Sequence, residues 1–352
     1  MLRIITIIVL LGLVIIIFVP IFLRDKSTSS SNMIKEKPNE VVLAYYSYSN
    51  GTEAQKSLMQ NNQSINIISP SWYRYERDGS IKGKGYDKVL VNRLDRKRIK
   101  LLPLLTNNEP SINGGSEELA SSIMGNKDTE DVAITNAIKL LKQDSLDGFN
   151  LDFEGIGVEN RQKFVEFVKK LAIPIHNEGK LLYISLPAKY QDTVNNAWVD
   201  AFDYQQLGSI CDAVVVMTYN ESWSTSQPGP IASPEYIKKV LQYTTQTIKQ
   251  DKVIMGLPVY GIDWEINGKE PGKIVSFSYI ATIKNQDKNL TSLYQNGTNR
   301  LVYTNNGEKH EIWYENEKSF SQKLNLIRNY KLLGIGIWSL GKEDANIWKW
   351  IN

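Results

Sequence analysis

Asp147-Gly148-Phe149-Asn150-Leu151-Asp152-Phe153-Glu154 alternates large apolar and polar side chains without a break from position 149 onward. Period-2 alternation is that of a strand, which turns Asn150, Asp152 and Glu154 to one face and Phe149, Leu151 and Phe153 to the other. Two carboxylates on one face repel each other and resist leaving water, which raises at least one pKa. Acid/base chemistry has a use for that pairing, and folding has little. An edge strand with a solvated polar face would explain the polar half, but the three large apolar residues argue for a well-buried strand.

Around it, candidate strands fall at 41–48, 65–75, 100–106, 148–154, 181–187, 213–219, 253–258 and 334–339. Helical patterns lie between them at 130–142, 160–173, 234–249 and 317–330. Phe164, Phe167, Val168 and Leu171 make an apolar stripe at helical spacing, which reads as core. Eight strands with intervening helices predict an α/β fold, a parallel (β/α)8 TIM barrel over 39–352. The connection between strands seven and eight is too long for a minimal barrel. Strand-like pieces at 300–304 and 309–313, with Asn-Gly turn signals at 267, 296 and 306, predict a small β-rich insertion at about 262–316.

Ile4 to Leu23 is a 20-residue stretch free of charge, about 30 Å long as a helix, enough to cross a bilayer. No Ala-x-Ala site follows it, so 4–23 reads as an uncleaved transmembrane signal anchor after a three-residue tail, with 24–38 as a flexible linker. The expected location is the cell membrane, single-pass, with the barrel extracytoplasmic; the alternative is a secreted protein freed by signal cleavage. A formal charge of +3 on 41 basic and 38 acidic residues offers no clustered basic excess for nucleic acid. One cysteine and two histidines exclude an intrachain disulfide and a Cys- or His-pair metal site, so no metal or cofactor is expected.

A barrel carries its active site at the C-terminal ends of its strands. Those ends hold Asp152 and Glu154, then Tyr219, Asn220 and Trp223, then Tyr260 and Trp264, and finally Trp338, with Tyr46 and Trp72 at strands one and two. Carboxylates ringed by aromatic side chains suit a sugar, whose apolar faces stack on rings while its hydroxyls seek acceptors. The chain here resembles the glycoside hydrolases of family 18. Positions 147–154 are similar to the signature Asp-x-x-Asp-x-Asp-x-Glu, with Asn150 where an Asp usually stands. Met217-Thr218-Tyr219-Asn220 resembles Met-x-Tyr-Asp, with Asn220 in place of Asp, and 256–261 and Trp338 extend the likeness. The forms of these motifs, with 310–314, look most like the bacterial cell-wall and spore-wall branch.

The resemblance implies a retaining hydrolase of β-linked N-acetylglucosamine glycans, working by substrate assistance. Glu154 would be the acid/base, Asp152 would hold the acetamido N–H, and Tyr219 would align the acetamido carbonyl. Asp147, Asn150 and Asn220 would support them, with Asn150 donating a hydrogen bond to Asp152. Trp338, Tyr46, Trp72, Trp223, Tyr260 and Trp264 would bind the sugar. The partners implied are an N-acetylglucosamine polysaccharide and, through the N-terminal span, the membrane; the barrel is expected to be a monomer. Three other readings are a non-catalytic chitinase-like lectin, a hydrolase of a poly-N-acetylglucosamine exopolysaccharide and a membrane-tethered scaffold. Glu154 argues against the lectin, and the acid pair against the scaffold. The topology has a direct test. Protease added to intact protoplasts should release a soluble fragment beginning between Arg24 and Pro38, and full protection would contradict the exported anchor.

Overall fold

The computed structural model describes residues 40–351 apart from 84, 112–113, 193–195, 197, 287–289 and 296. The expected span at 4–23 and linker at 24–38 lie outside the described residues. Among the described residues no helix is long and apolar enough to cross a membrane.

Eight strand positions build a TIM-barrel-like fold. Strands one and two are Val41–Tyr46 and Ile67–Pro70, and strand three is two pieces, Lys100–Leu101 and Leu104–Thr106. Strands four to eight are Gly148–Asp152, Leu181–Pro187, Ala213–Met217, Val253–Pro258 and Gly334–Trp338. Pairing is parallel from each to the next, and strand eight returns to strand one through Val41 opposite Gly334. The single strand expected at 65–75 is broken. Its second part, Tyr73–Tyr75, pairs with Leu104–Thr106 and folds back on Ile81–Gly83 as a hairpin.

Alternation along strand four does what its sequence predicts. Phe149, Leu151 and Phe153 join the core between sheet and helices, and Phe153 stacks on Phe164 and Phe167 at ring-centroid distances of 5.5 and 5.9 Å. Those two rings belong to the apolar stripe of helix Arg161–Asn177, which buries Phe164, Phe167, Val168, Leu171 and Ile175. This helix runs past the expected stop at 173 and through Pro174. A proline there removes one N–H near the helix end, and burial of Ile175 below it holds the last turn. Helix Lys127–Gln143 begins where the Asn126 side chain accepts from the Asp128 and Thr129 backbone N–H groups.

The insertion between strands seven and eight is a five-stranded antiparallel sheet. Its order is Lys273–Val275, Gly261–Glu265, Glu308–Tyr314, Thr298–Asn305, Thr291–Gln295. Asn306 and Gly307 both have positive φ, 51° and 87°, as a two-residue hairpin turn requires. The sheet also carries a helix, Phe277–Gln286, missed in the sequence reading, which lays Ile280 and Ile283 on Leu301, Ile312 and Tyr314. At the exit of the insertion Glu315 and Lys323, both buried, form an ion pair that Ser319 completes.

Strand four starts under a tight constraint. Gly148 has φ 157°, and a Cβ built on it would stand 2.0 Å from the Leu181 carbonyl oxygen of strand five. Gly148→Ala should therefore cost roughly 3 kcal/mol in urea unfolding. A cost near zero would show that the two strands do not approach as described.

Candidate active site

The inward residues of strands one, two, four and five form a closed polar ring beneath the barrel mouth. Asn150 donates to Tyr45 Oη at 3.1 Å and to Ser69 Oγ at 3.4 Å, Tyr45 Oη bonds Ser185 Oγ at 3.0 Å, and Ser185 donates to Asn150 Oδ1 at 3.2 Å. All four residues are buried. An amide fits this ring because it donates and accepts at once; an ionised carboxylate could only accept. Both Asn150 N–H groups are thereby engaged, so the expected bond from Asn150 to Asp152 is not made.

One step above the ring stands Asp152, which is buried, with Oδ1 shut off from solvent and without a hydrogen-bond partner among the described residues. Burial, and then the charge of Glu154, push its carboxyl well above the usual range. Burial also lifts Glu154. Tyr219, buried at the end of strand six, has its phenol pushed up first by burial, then by Tyr45, Tyr260 and the two carboxyls. Burial and the charge of Glu154 both oppose ionisation of Asp152, so the pair resists carrying two negative charges at once.

The acid pair sits where two hollows meet, and Trp338 is common to both. One hollow, about 320 Å³, is bordered by Tyr45, Tyr219, Asn220, Trp223 and Tyr260. The other, about 460 Å³, is bordered by Trp72, Arg74, Asn108 and Glu109. A third hollow near Tyr86, Lys139 and Asp144 is larger, about 780 Å³, but holds neither the acid pair nor the aromatic strand ends. Trp338 is half-buried, edge-on to Tyr45 at 5.1 Å, and Trp223 stands 51% exposed at the rim. Asn220 takes φ 64°, a left-handed conformation that Asn and Asp tolerate better than most residues.

Of the residues expected from sequence, Glu154, Asp152, Tyr219, Asn220, Trp338, Trp223, Tyr260 and Trp72 come together around these hollows. Trp72 contributes only a wall, since it is 1% exposed and its indole N–H is bonded to Tyr48. Three others do not join them. Tyr46 points the opposite way from Tyr45, into the helix-side core, because neighbouring strand residues face opposite sides; Tyr45 is the residue at the site. Trp264 is buried in the insertion, where a Cβ on Gly272 would lie 2.7 Å from its ring. Asp147 lies at the far end of strand four, accepting from Arg96 at 2.6 Å and from the Leu101 N–H at 2.7 Å. It clips two strands together and supports the fold rather than the acids. Ser185 was missed, although its alternate position in strand five, between Ile184 and Leu186, was a signal for an inward polar side chain.

Among the described residues no three His, Cys, Asp or Glu side chains converge to hold a metal ion. His176 pairs with Asp212, His310 with Asp263, and Cys211 is buried.

The chain is similar to known proteins in sequence and in fold. The sequence model of Glycosyl hydrolases family 18 matches residues 41–343. An uncharacterized glycosylase of Bacillus subtilis, YvbX, is 32% identical over 300 residues, covering 85% of this chain and 87% of that protein. The cortical fragment-lytic enzyme of Bacillus anthracis is 26% identical over 306 residues, covering 84% and 70%. The crystal structure of the Bacillus cereus spore cortex-lytic enzyme SleL superposes with a TM-score of 0.82 at 25% identity, covering 89% of this chain and 73% of that one. With the acid pair at the end of strand four and these relatives over nearly the whole barrel, the chain belongs to family 18 of the glycosyl hydrolases and is a glycosidase.

Proposed function

We propose that this glycosidase cleaves β-linked N-acetylglucosamine bonds in a cell-wall glycan with retention, using the substrate's own acetamido group as nucleophile. The observation that carries this reading is the buried Asp152, whose Oδ1 has no partner among the described residues and which lines, with Glu154, the hollow that Tyr219 borders. A buried acceptor left empty costs free energy unless a ligand fills it. The acetamido N–H of an N-acetyl sugar is such a donor. It would stabilise ionised Asp152 and leave the proton on Glu154, so the substrate itself sets which carboxyl is the acid. Tyr219 would donate to the acetamido oxygen and hold it near the anomeric carbon, a gain from proximity. That oxygen then bonds to the anomeric carbon as the glycosidic C–O bond breaks and Glu154 protonates the leaving oxygen. In the second step Glu154 takes a proton from the water that opens the oxazolinium ion.

The cell-wall assignment rests on the likeness to cortex-lytic enzymes. A place outside the cytoplasmic membrane, tethered by 4–23, is the matching localisation, since such a glycan lies there.

Glu154→Gln should lower kcat by roughly 10²–10⁴-fold while sugar binding survives, because the amide keeps the shape but has no proton to give. The same variant should be more thermostable than the parent at pH 7. A carboxyl whose folded pKa is raised contributes most below its ordinary pKa, and that stability is lost as pH rises toward the folded value. The gain in Tm should therefore vanish near about pH 4. A variant within tenfold of the parent's kcat would assign the acid elsewhere.

The nucleophile is tested on substrate. N-acetylglucosamine oligomers or purified peptidoglycan should give products whose new reducing end is the β-anomer by proton NMR before mutarotation. The same glycan with a free amine at the cleavage-site sugar should bind but not turn over. Efficient cleavage of the de-N-acetylated glycan would contradict the substrate-assisted mechanism.

A further inference from the structure

Asn107 follows strand three and is fully buried. Its side-chain amide closes on the backbone of Glu154 from both sides. Asn107 Oδ1 accepts from the Glu154 N–H at 2.9 Å, and Asn107 Nδ2 donates to the Glu154 carbonyl at 2.8 Å. One amide thus stands in for a strand partner just where strand four has ended at Asp152. The same Nδ2 donates to the Ser116 carbonyl at 3.1 Å, and the Ser116 N–H returns a bond to the Asn107 carbonyl at 3.1 Å. Between them Asn108–Glu109 pairs with Gly114–Gly115 as a small hairpin. Gly115 lies flat on the acid: a Cβ there would stand 2.1 Å from the Glu154 carbonyl oxygen and 2.8 Å from its Cβ.

The clamp satisfies two backbone groups that strand pairing no longer serves, and in doing so it fixes the residue that carries the acid. An acid/base residue needs such fixing, because a misplacement of about 1 Å can cost on the order of 100-fold in rate. We propose that Asn107 is a positioning residue for Glu154, fixing the backbone from which the acid reaches the scissile oxygen. Asn108, Glu109 and Gly114 also border the larger hollow beside the acid pair. Glycan held against that hairpin therefore bears on the same amide that sets the acid. The inference rests on the role given to Glu154 under Proposed function.

Leaving-group dependence separates positioning from structure. An acid matters most when the leaving oxygen is basic and least when it departs without a proton. Asn107→Ala should lower kcat/KM on a chito-oligosaccharide by about 100-fold, and on the 2,4-dinitrophenyl β-glycoside of N,N′-diacetylchitobiose by less than about threefold. Asn107→Asp keeps the shape but turns an acceptor oxygen toward two carbonyls, and should show the same selective loss with a native circular dichroism spectrum. An equal fall on both substrates, in either variant, would overturn the positioning role. A wild-type protein that cleaves neither substrate would instead overturn the reading of Glu154 as the acid of an N-acetylglucosaminidase, and this inference with it.

Discussion

The site depends on a carboxyl kept out of water with one oxygen left unbonded. Asp152 is buried, its Oδ1 has no partner among the described residues, and a second carboxyl follows two positions along the chain. A fold selected for stability alone would place an apolar residue there, since a buried carboxyl with an unpaired oxygen opposes folding. Asn150, the nearest inward donor on the same strand, is tied by both N–H groups into the ring of Tyr45, Ser69 and Ser185. Closed rings of this kind polarise one another and resist rearrangement. The result is a carboxyl on the wall of the hollow with an unused acceptor, for which a ligand can supply the partner.

This ring also gives a physical account of why Asn stands at 150 where family 18 usually has Asp. The position must donate to Tyr45 and accept from Ser185 together, and an amide does both at any pH. A carboxyl could do so only while protonated, which would add a third titrating acid to the pair. The substitution leaves Asp152 and Glu154 as the two acids at the end of strand four. Asn220 is a milder case. Its left-handed backbone suits Asn or Asp alike, and its side chain borders the smaller hollow.

Much of this was legible in the sequence because strand periodicity is a local signal. The alternation at 149–154 assigns faces correctly, and the eight strand positions follow from apolar runs separated by helical stripes. What escaped was set by contacts across the sheet. Tyr45 and Tyr46 are chemically alike and adjacent, so the sequence leaves open which faces the mouth; pairing with strands two and eight decides it. Asp147 belongs to the signature motif, yet its carboxylate serves Arg96 and Leu101, partners 51 and 46 residues away in the chain. Trp264 was read as a strand-end aromatic, but the insertion's own sheet buries it. The helix Phe277–Gln286 was lost among turn signals because only two of its residues are buried. Asn107 gave no local sign, since its partner lies 47 residues on, past the end of the neighbouring strand.

The most direct test of the central claim is a crystal structure with a thiazoline analogue of the oxazolinium ion. The analogue should occupy the hollow over Trp338, with its ring nitrogen, protonated as the thiazolinium, donating to the Asp152 carboxylate at about 2.8 Å. Tyr219 should approach the sulfur that stands for the acetamido oxygen. An analogue that makes no bond to the Asp152 carboxylate, or a glycosyl ester captured on Asp152 with true substrate, would contradict the account.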